Sequence, residues 1–497
     1  MKRRTNAIIE IIIRRWWIVV GIGVLATFAL VLYMGMGQNI WFDESYSINL
    51  AKQSIPDLLR LTGVDAHPPL FYLLLKVWGS LFGWSELALR SMSALLAALT
   101  VGAMAVLLRR LFTARLALVV LPLLVIAPFA LRYGYEIRMY ALAALIGVLA
   151  SLTLVHAVQA KTDKRWWGLY IVFVAAGMYT LYMTAVIWLA HVVWLSIRHH
   201  RPFWKQPWVR SYIIIGLLFL PYIPTLLFQF THSALPGIGH RLNLTAIGDV
   251  IGQVLVYTPE WSIGGWTALG ILALIGLSTY LFIRAFQHAT MTSRRSLQLI
   301  LCLGLVPFVF FVIISLPPIP PIFVSRYLAH VIIFVYAMIG VAAALGWRYG
   351  YRKPAVVLYI LATTLSLWGD GQLVLAGNFN YDRFQHPQTT KVRKLVDCKK
   401  SVIVADDAYT YINNMYYFDG CDMRFYSPYD LPFQGGYAWL SGSSSRLATS
   451  KDLNAPSMVH LYWGDNPPSF QPDSRYRLVS SVKYDQQVTD TYTLSEE

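Results

Sequence analysis

Two adjacent carboxylates, Asp43 and Glu44, closely follow a long apolar segment in a chain of 497 residues that has only 25 acids. An ionised carboxylate near a bilayer is costly unless water solvates it, a cation pairs with it or the protein uses it. Such a pair could act as a general base on a hydroxyl group, or could stabilise positive charge that develops on a donor group. Taken alone, the pair is more typical of a solvated loop.

Three further segments carry residues that could share a site with this pair. They are Val64-Asp65-Ala66-His67-Pro68-Pro69-Leu70, Glu136-Ile137-Arg138-Met139-Tyr140 and Arg326-Tyr327. A guanidinium binds phosphate through two parallel hydrogen bonds and stays charged, so Arg138 and Arg326 suit an anionic group. Together with the carboxylates, these arginines suggest a reaction in which a phosphate leaves and a hydroxyl loses its proton.

Each of these residues also has a plainer interpretation. His67 before two prolines could be an ordinary residue of an extended turn, and Arg326 could be an interfacial anchor. Arg132 is more typical of an anchor than of a ligand. The segment 231–262 carries His232, His240, Asp249 and Glu260, but their spacing is not that of a regular metal site.

The composition indicates the environment of the chain. Hydrophobic residues make up 57% and charged residues 13%, which is far more apolar than ordinary soluble proteins. The net charge of +16 comes from bases that cluster in short runs between apolar spans, as the positive-inside rule requires. We therefore interpret the charge as membrane topology and predict no nucleic-acid partner.

Apolar length predicts a polytopic α-helical membrane protein with about eleven transmembrane helices. The apolar stretch from Leu70 to Gly83 is too short to span and predicts an interfacial helix. Alternating charge bias puts the N-terminus in the cytoplasm and all four polar segments at one outer surface. The predicted spans are 16–37, 91–108, 115–131, 139–157, 167–182, 183–197, 211–230, 266–283, 297–316, 328–345 and 355–375.

Two domains are expected. Residues 1–375 form the transmembrane module, whose first outer loop, 38–90, carries juxtamembrane helices. Residues 376–497 lose the positive bias and contain β-branched runs at 401–405 and 458–463, which predict a small extracytoplasmic α/β domain. Cys398 and Cys421 could form a disulfide there if the compartment is oxidising.

The four segments, in this order, resemble the protein O-mannosyltransferase and aminoarabinose transferase branch of the GT-C membrane glycosyltransferases. The likeness covers roughly residues 1–375 and is strongest before residue 141. Neither Asp-Glu nor His-Pro-Pro is specific alone. Both in the first outer loop, followed by Glu-x-Arg-x-Tyr in the next, make a more specific pattern.

The resemblance implies an inverting transfer of a sugar from a polyprenyl-phosphate donor to an acceptor hydroxyl at the outer face of the cytoplasmic membrane. It implies Asp43 as catalytic base with Glu44 in support, and Arg138, Arg326 and Tyr327 at the donor phosphate. Four further residues are expected to position donor or acceptor: Asp65, His67, Glu136 and Tyr140.

The acceptor class stays open among lipid, glycan and protein, because the C-terminal region lacks the β-trefoil repeats of the mannosyltransferases. The Trp-Trp-Asp motif of the oligosaccharyltransferase branch is also absent. No cofactor is implied, although the carboxylates and His67 leave a divalent metal open. The alternatives are a transporter or flippase of a lipid-linked glycan and a non-catalytic scaffold, but no inverted repeat supports the transporter.

Overall fold

A computed structural model describes most of the chain. The described residues are 10, 13–36, 38–160, 163–198, 206–232, 241–257, 264–316, 324–376, 392–394, 396–429, 433, 435–464, 467–484 and 487–495. The proline-rich segment 317–321 lies outside them, as do two residues of the segment 231–262, His240 and Glu260.

The α-helices of the described residues are, in chain order, α1 (Trp16–Met36), α2 (Phe42–Lys52), α3 (Ile55–Val64), α4 (Leu70–Phe82), α5 (Glu86–Leu111), α6 (Ala114–Val125), α7 (Pro128–Gly134), α8 (Tyr140–Gln159), α9 (Arg165–Met178), α10 (Ala185–Arg198), α11 (Pro207–Phe219), α12 (Ile223–His232), α13 (Leu244–Val256), α14 (Gly265–His288), α15 (Met291–Ile314), α16 (Ile332–Arg348), α17 (Arg352–Ala376) and α18 (Ala408–Asn414).

The chain divides into two compact units. The first comprises Met1–Gly35, Gly83–Pro224 and Pro236–Phe379, and the second comprises Met36–Phe82, Thr225–Leu235 and Asn380–Glu497. The first outer loop, which carries Asp43 and Asp65, therefore belongs to the same compact unit as the C-terminal region.

The first unit is helical, and its helices follow the apolar segments of the sequence. By length and composition, six helices of the described residues can cross a membrane, or seven if the bent pair α6 and α7 counts as one span. All eleven predicted spans coincide with a helix, a consecutive helix pair or the bent pair, while the count of eleven stays a prediction. The prediction of a polytopic α-helical membrane protein is thus confirmed. Several of its apolar helices are shorter than 18 residues.

The predicted span 115–131 is not a single helix. It breaks after Val125, and α7 leaves at an angle of 64°. Pro128 opens α7, where its missing N–H removes no hydrogen bond and its ring favours the helical φ. The break moves Arg132, expected in a short connection, into a helix.

The sequence prediction missed α13 (Leu244–Val256), which lies within the segment expected to be a loop. Its start carries a standard signal, because the Asn243 side chain accepts the N–H of Ala246 at 2.7 Å. Its end is marked by Tyr257 in the left-handed conformation, with φ +54.

The second unit contains the helices α2, α3 and α4 and the C-terminal domain. Lys76 of α4 donates to the carbonyl oxygen of Gln53 at 2.6 Å, which satisfies an acceptor at the C-terminal end of α2. The interfacial helix expected between Leu70 and Gly83 is present as α4. The first outer loop, 38–90, contains the helices α2, α3 and α4.

The C-terminal domain is a six-stranded mixed sheet, as predicted for a small α/β domain. Its strands are β1 (Ser401–Ala405), β2 (Met423–Tyr426), β3 (Arg446–Leu447), β4 (Ser457–Trp463), β5 (Tyr476–Tyr484) and β6 (Gln487–Leu494). They are ordered β3-β2-β1-β4-β6-β5, with β1 parallel to β2 and β4 and with β6 antiparallel to its neighbours. The β-branched core strands β1 and β4 are buried among other apolar residues. Cys398 and Cys421 form a disulfide, with Cα atoms 4.9 Å apart.

Candidate active site

Asp43 and Glu44 lie in the first turn of α2. Glu44 is only 1% exposed, and its Oε2 accepts the backbone N–H of Trp41 at 3.4 Å. The first N–H groups of a helix lack intrahelical partners, and negative charge is favourable at this end. Asp43 is half-buried and therefore reaches solvent. Glu44 thus fixes the helix start that holds the more accessible Asp43.

Asp65 and His67 come directly after the end of α3. The N–H of Asp65 bonds to the carbonyl oxygen of Leu61, and its Oδ2 lies 3.2 Å from Nδ1 of His67. Asp65 is buried, whereas His67 is partly exposed. Pro68 and Pro69 favour an extended chain after α3, so the pair is held before α4 begins. The Asp65 carboxylate can therefore orient the imidazole of His67.

Aromatic side chains of the C-terminal domain reach the start of α2. The ring of Phe42 stacks on Tyr409, with centroids 4.9 Å apart, and meets Tyr437 at 5.4 Å. Tyr409 in turn contacts Trp463 at 6.3 Å. We call Phe42, Tyr409, Tyr437 and Trp463 the aromatic wall, which lies beside Asp43.

Tyr437 is the member of the aromatic wall that faces carboxylates. Burial raises its pKa, and the nearby charges of Asp407 and Asp43 raise it further. Its hydroxyl therefore keeps its proton and can donate a hydrogen bond. Tyr437 was missed from the sequence, because a contact across nearly 400 residues leaves no local pattern.

The first unit contains the segment from Glu136 to Tyr140. Arg132 and Glu136 form an ion pair of 2.9 Å, and both side chains are almost fully buried. The guanidinium of Arg132 also lies over the rings of Tyr133 and Tyr135. Arg132 is thus a buried, paired side chain and not the interfacial anchor that its sequence position favoured. Glu136 is engaged by that pair.

Arg138 and Arg90 add two more buried cations. Arg138 is 3% exposed, and its backbone N–H bonds to the carbonyl oxygen of Glu136 at 2.7 Å. Arg90 is fully buried, lies 3.2 Å from Glu86 and donates to the carbonyl oxygen of Gly35. Its guanidinium lies 5.7 Å from the ring centre of Tyr135. Arg90 was missed because it adjoins a predicted span with no motif around it.

Arg326 and Tyr327 lie in a short 3₁₀ helix, Ser325–Leu328. Ser325 donates to the amide oxygen of Gln253, so α13 anchors this turn. The guanidinium of Arg326 lies 5.9 Å from the ring centre of Tyr327, which packs edge-on against Phe311. Arg326 is only partly buried and can reach a ligand.

A small cavity lies between the segment that ends at Tyr140 and the chain that follows Arg326 and Tyr327. It has a volume of about 30 Å³, room for a water molecule, and its lining includes Tyr133, Tyr140, Ala329 and Ile332. The ring of Tyr140 also contacts Tyr133 edge-on, with centroids 4.9 Å apart. The chain around Glu136–Tyr140 and the chain just after Arg326 therefore meet within the first unit.

The predicted site residues fall into two groups. Those of the first outer loop, Asp43, Glu44, Asp65 and His67, belong to the second unit, and those of the other segments, Glu136, Arg138, Tyr140, Arg326 and Tyr327, belong to the first. Among the described residues, no group of three or more His, Cys, Asp or Glu side chains could hold a metal ion.

One family of known proteins matches part of this chain. Residues 66–227 match the family described as dolichyl-phosphate-mannose-protein mannosyltransferase. The match contains His67, Glu136, Arg138 and Tyr140, and it ends well before Arg326. No curated protein sequence matches the chain.

Solved structures share the fold of the chain. ArnT from Cupriavidus metallidurans bound to undecaprenyl phosphate aligns with a TM-score of 0.61 at 13% identity, covering 95% of this chain and 97% of that chain. Its apo form gives a TM-score of 0.64 at 12% identity, with coverage of 96% and 97%. An Archaeoglobus fulgidus oligosaccharyltransferase complex with Zn and sulfate gives 0.50 at 13% identity, covering 89% of this chain and 67% of that chain.

The predicted resemblance to the GT-C membrane glycosyltransferases is confirmed by these comparisons. The matched family and the structural neighbours are glycosyltransferases.

Proposed function

Because the chain has the fold of the GT-C membrane glycosyltransferases, we propose that it is an inverting glycosyltransferase. It moves a sugar from a polyprenyl-phosphate donor to an acceptor hydroxyl of a lipid, glycan or protein at the outer face of the cytoplasmic membrane. The observation that carries the proposal is the mannosyltransferase match over residues 66–227 within a chain that follows the ArnT fold over 95% of its length.

Asp43 is the proposed base. Its carboxylate takes the proton of the acceptor hydroxyl, whose oxygen attacks the anomeric carbon from the side opposite the phosphate. The new glycosidic bond forms as the bond to the phosphate oxygen breaks, so the configuration inverts and the carrier phosphate leaves. Asp43 suits this role because it is accessible, whereas Glu44 is buried against the N–H of Trp41.

Arg138 and Arg326, with Tyr327, are the proposed ligands of the carrier phosphate. A guanidinium binds a phosphate through two parallel hydrogen bonds and stays charged, so both arginines suit the carrier phosphate of the bound donor. ArnT was solved with undecaprenyl phosphate, which supports a phosphate of this kind as the donor group. Arg132 is excluded from this role because Glu136 already neutralises it in a buried pair.

Asp65, His67, Glu136 and Tyr140 are the proposed positioning residues. The contact between Asp65 and His67 fixes the ring orientation of the histidine. Glu136 acts indirectly, because its pair with Arg132 holds the chain turn that leads into Arg138.

A reconstituted transfer assay tests the function and its rivals together. The purified full chain in liposomes is incubated with polyprenyl phosphates that carry different radiolabelled sugars, together with a lipid and peptide acceptor panel. A glycosyltransferase produces labelled acceptor and free carrier phosphate. A flippase moves intact labelled donor across the bilayer without releasing carrier, and a scaffold does neither, so either result would contradict the proposal.

A further inference from the structure

A groove unrelated to the candidate active site opens among α6, α16 and α17 of the first unit. Its volume is about 740 Å³, within the usual range of small-molecule sites. Its walls are mainly apolar, from residues such as Leu116, Val119, Val356 and Ile360. The Tyr359 hydroxyl donates to the carbonyl oxygen of Val119 at 3.0 Å and so ties α17 to α6.

Two arginines give the groove a positive charge. Arg115 and Arg348 line it, both side chains are exposed, and its lining contains no acid. Within the described part of the chain, neither guanidinium has a hydrogen-bond acceptor or an acidic partner. Arg352 lies over the ring of Trp347, another lining residue, at 5.6 Å. A groove with an apolar wall and two unneutralised cations fits an amphiphile with an anionic head.

The groove lies at the opposite end of the helices from the proposed donor-phosphate residues. Arg348 ends α16, whose other end at Ile332 follows Arg326 closely in the chain. At 1.5 Å per residue these ends are about 24 Å apart, close to the thickness of the hydrocarbon layer. Likewise, Arg115 opens α6, whereas Arg132 follows its far end. The groove therefore lies toward the opposite end of the helices from the proposed donor-phosphate residues.

We propose that this groove binds one anionic glycerophospholipid, with its phosphate between Arg115 and Arg348 and its acyl chains along Leu116, Val119, Val356 and Ile360. Basic pockets between transmembrane helices hold lipid head groups in this way. The charge bias of the sequence places the groove at the cytoplasmic leaflet, where anionic lipids attract such residues. The site requires no glycosyl transfer, so it stands or falls independently of the proposed function.

Native mass spectrometry of the detergent-purified full chain tests the site with three probes. They are dioleoyl phosphatidylglycerol, dioleoyl phosphatidylcholine and inorganic phosphate. Each cation near an anionic lipid is worth about fivefold in affinity, so wild type should prefer phosphatidylglycerol about thirtyfold. The double variant Arg115→Gln/Arg348→Gln should lose that preference, and Arg115→Lys/Arg348→Lys should retain part of it.

A matched control removes two charges from the same predicted surface outside the groove. Arg210→Gln/Lys353→Gln should keep the preference of wild type. Val119→Trp, on an exposed face, fills the groove and should abolish phosphatidylglycerol retention while both arginines remain. The proposal is overturned if wild type retains both lipids equally, if the preference survives in Arg115→Gln/Arg348→Gln, or if inorganic phosphate binds as tightly as phosphatidylglycerol.

Discussion

At the scale of single residues, burial separates side chains that look alike in the sequence. Asp43 and Glu44 are adjacent acids, yet only Asp43 is accessible, because Glu44 accepts the N–H that opens α2. Arg132 and Arg138 are both buried, yet Arg132 is bound to Glu136 by an ion pair of 2.9 Å. Substitutions of Asp43 and Glu44 should therefore have different effects on transfer, and so should substitutions of Arg132 and Arg138.

Replacing Arg138 or Arg326 by Ala should mainly weaken donor binding. A charge-assisted hydrogen bond is worth about 1.5–3 kcal/mol, so KM for the donor should rise about 10- to 100-fold. Steady-state kinetics with varied polyprenyl-phosphate sugar measures this effect, and Arg284→Ala on α14 serves as the control. Unchanged donor KM in both variants would remove these arginines from the phosphate site.

Tyr437→Phe tests whether the C-terminal domain contributes a positioning residue. The charge of Asp43 acts on the Tyr437 hydroxyl, so this hydroxyl is placed to hold the acceptor beside the proposed base. Its removal should raise the acceptor KM and lower kcat/KM about tenfold, which steady-state kinetics with varied acceptor measures.

The control for this variant is Tyr429→Phe, an exposed tyrosine of the same domain. A merely structural role for Tyr437 would lower the amount of folded protein and leave the acceptor KM unchanged. That outcome would contradict a positioning role for Tyr437.

At the scale of elements, one acid ties a loop of the C-terminal domain to its sheet. Asp406 follows β1, and its carboxylate accepts the N–H groups of Ser469 and Phe470 at 2.9 and 2.8 Å. It also contacts His460 of β4 at 3.1 Å. Burial alone raises the pKa of Asp406, but the hydrogen bonds from His460, Phe470 and Ser469 outweigh it and hold the pKa below its ordinary value.

The lowered pKa gives a definite pH dependence. The carboxylate stabilises the folded domain fully above about pH 4, the unfolded value, and this stabilisation is lost as the pH falls through the lower folded pKa. Asp406→Ala should expose residues 467–470 at neutral pH and speed their amide hydrogen exchange at least tenfold. Asp473→Ala, which removes a partly buried acid bound to Arg475, is the control. Equal exchange in the two variants would contradict this function of Asp406.

The elements also show what the sequence could predict. Apolar length located the helices of the first unit, and β-branched runs located β1 and β4. The break before Pro128 was missed because the apolar run continues through it. The helix α13 was missed because its short apolar run lies between polar segments, although Asn243 supplied a usable cap signal. A helix break at a proline and a capped helix start depend on single residues, and hydropathy averaged over a window does not detect them.

The site residues were predictable in type but not in their partners. Motifs pointed to Asp43, His67, Arg138 and Arg326, because carboxylates and arginines in such contexts are rarely needed by an apolar fold. The stacking of Phe42 on Tyr409 joins residues far apart in sequence, which no periodicity reports. Arg90 was hidden for a similar reason, since its partner Gly35 lies on another helix.

At the scale of the whole molecule, the proposed orientation puts the C-terminal domain on the extracytoplasmic side of the membrane. The disulfide between Cys398 and Cys421 agrees with an oxidising compartment. In a Cys302→Ser background, a membrane-impermeant maleimide should label Tyr429→Cys in intact cells. It should label Arg210→Cys only after permeabilisation. The reverse pattern would invert the proposed topology.

The account rests most heavily on Asp43 as the proton acceptor. The most direct measurement compares transfer from the radiolabelled polyprenyl-phosphate sugar by wild type, Asp43→Asn and Asp57→Asn, where Asp57 is an exposed acid of the same predicted loop. Loss of a general base costs about 100- to 10,000-fold in rate. We expect that loss in Asp43→Asn at unchanged donor KM, with Asp57→Asn close to wild type. Transfer by Asp43→Asn at the wild-type rate would contradict the account.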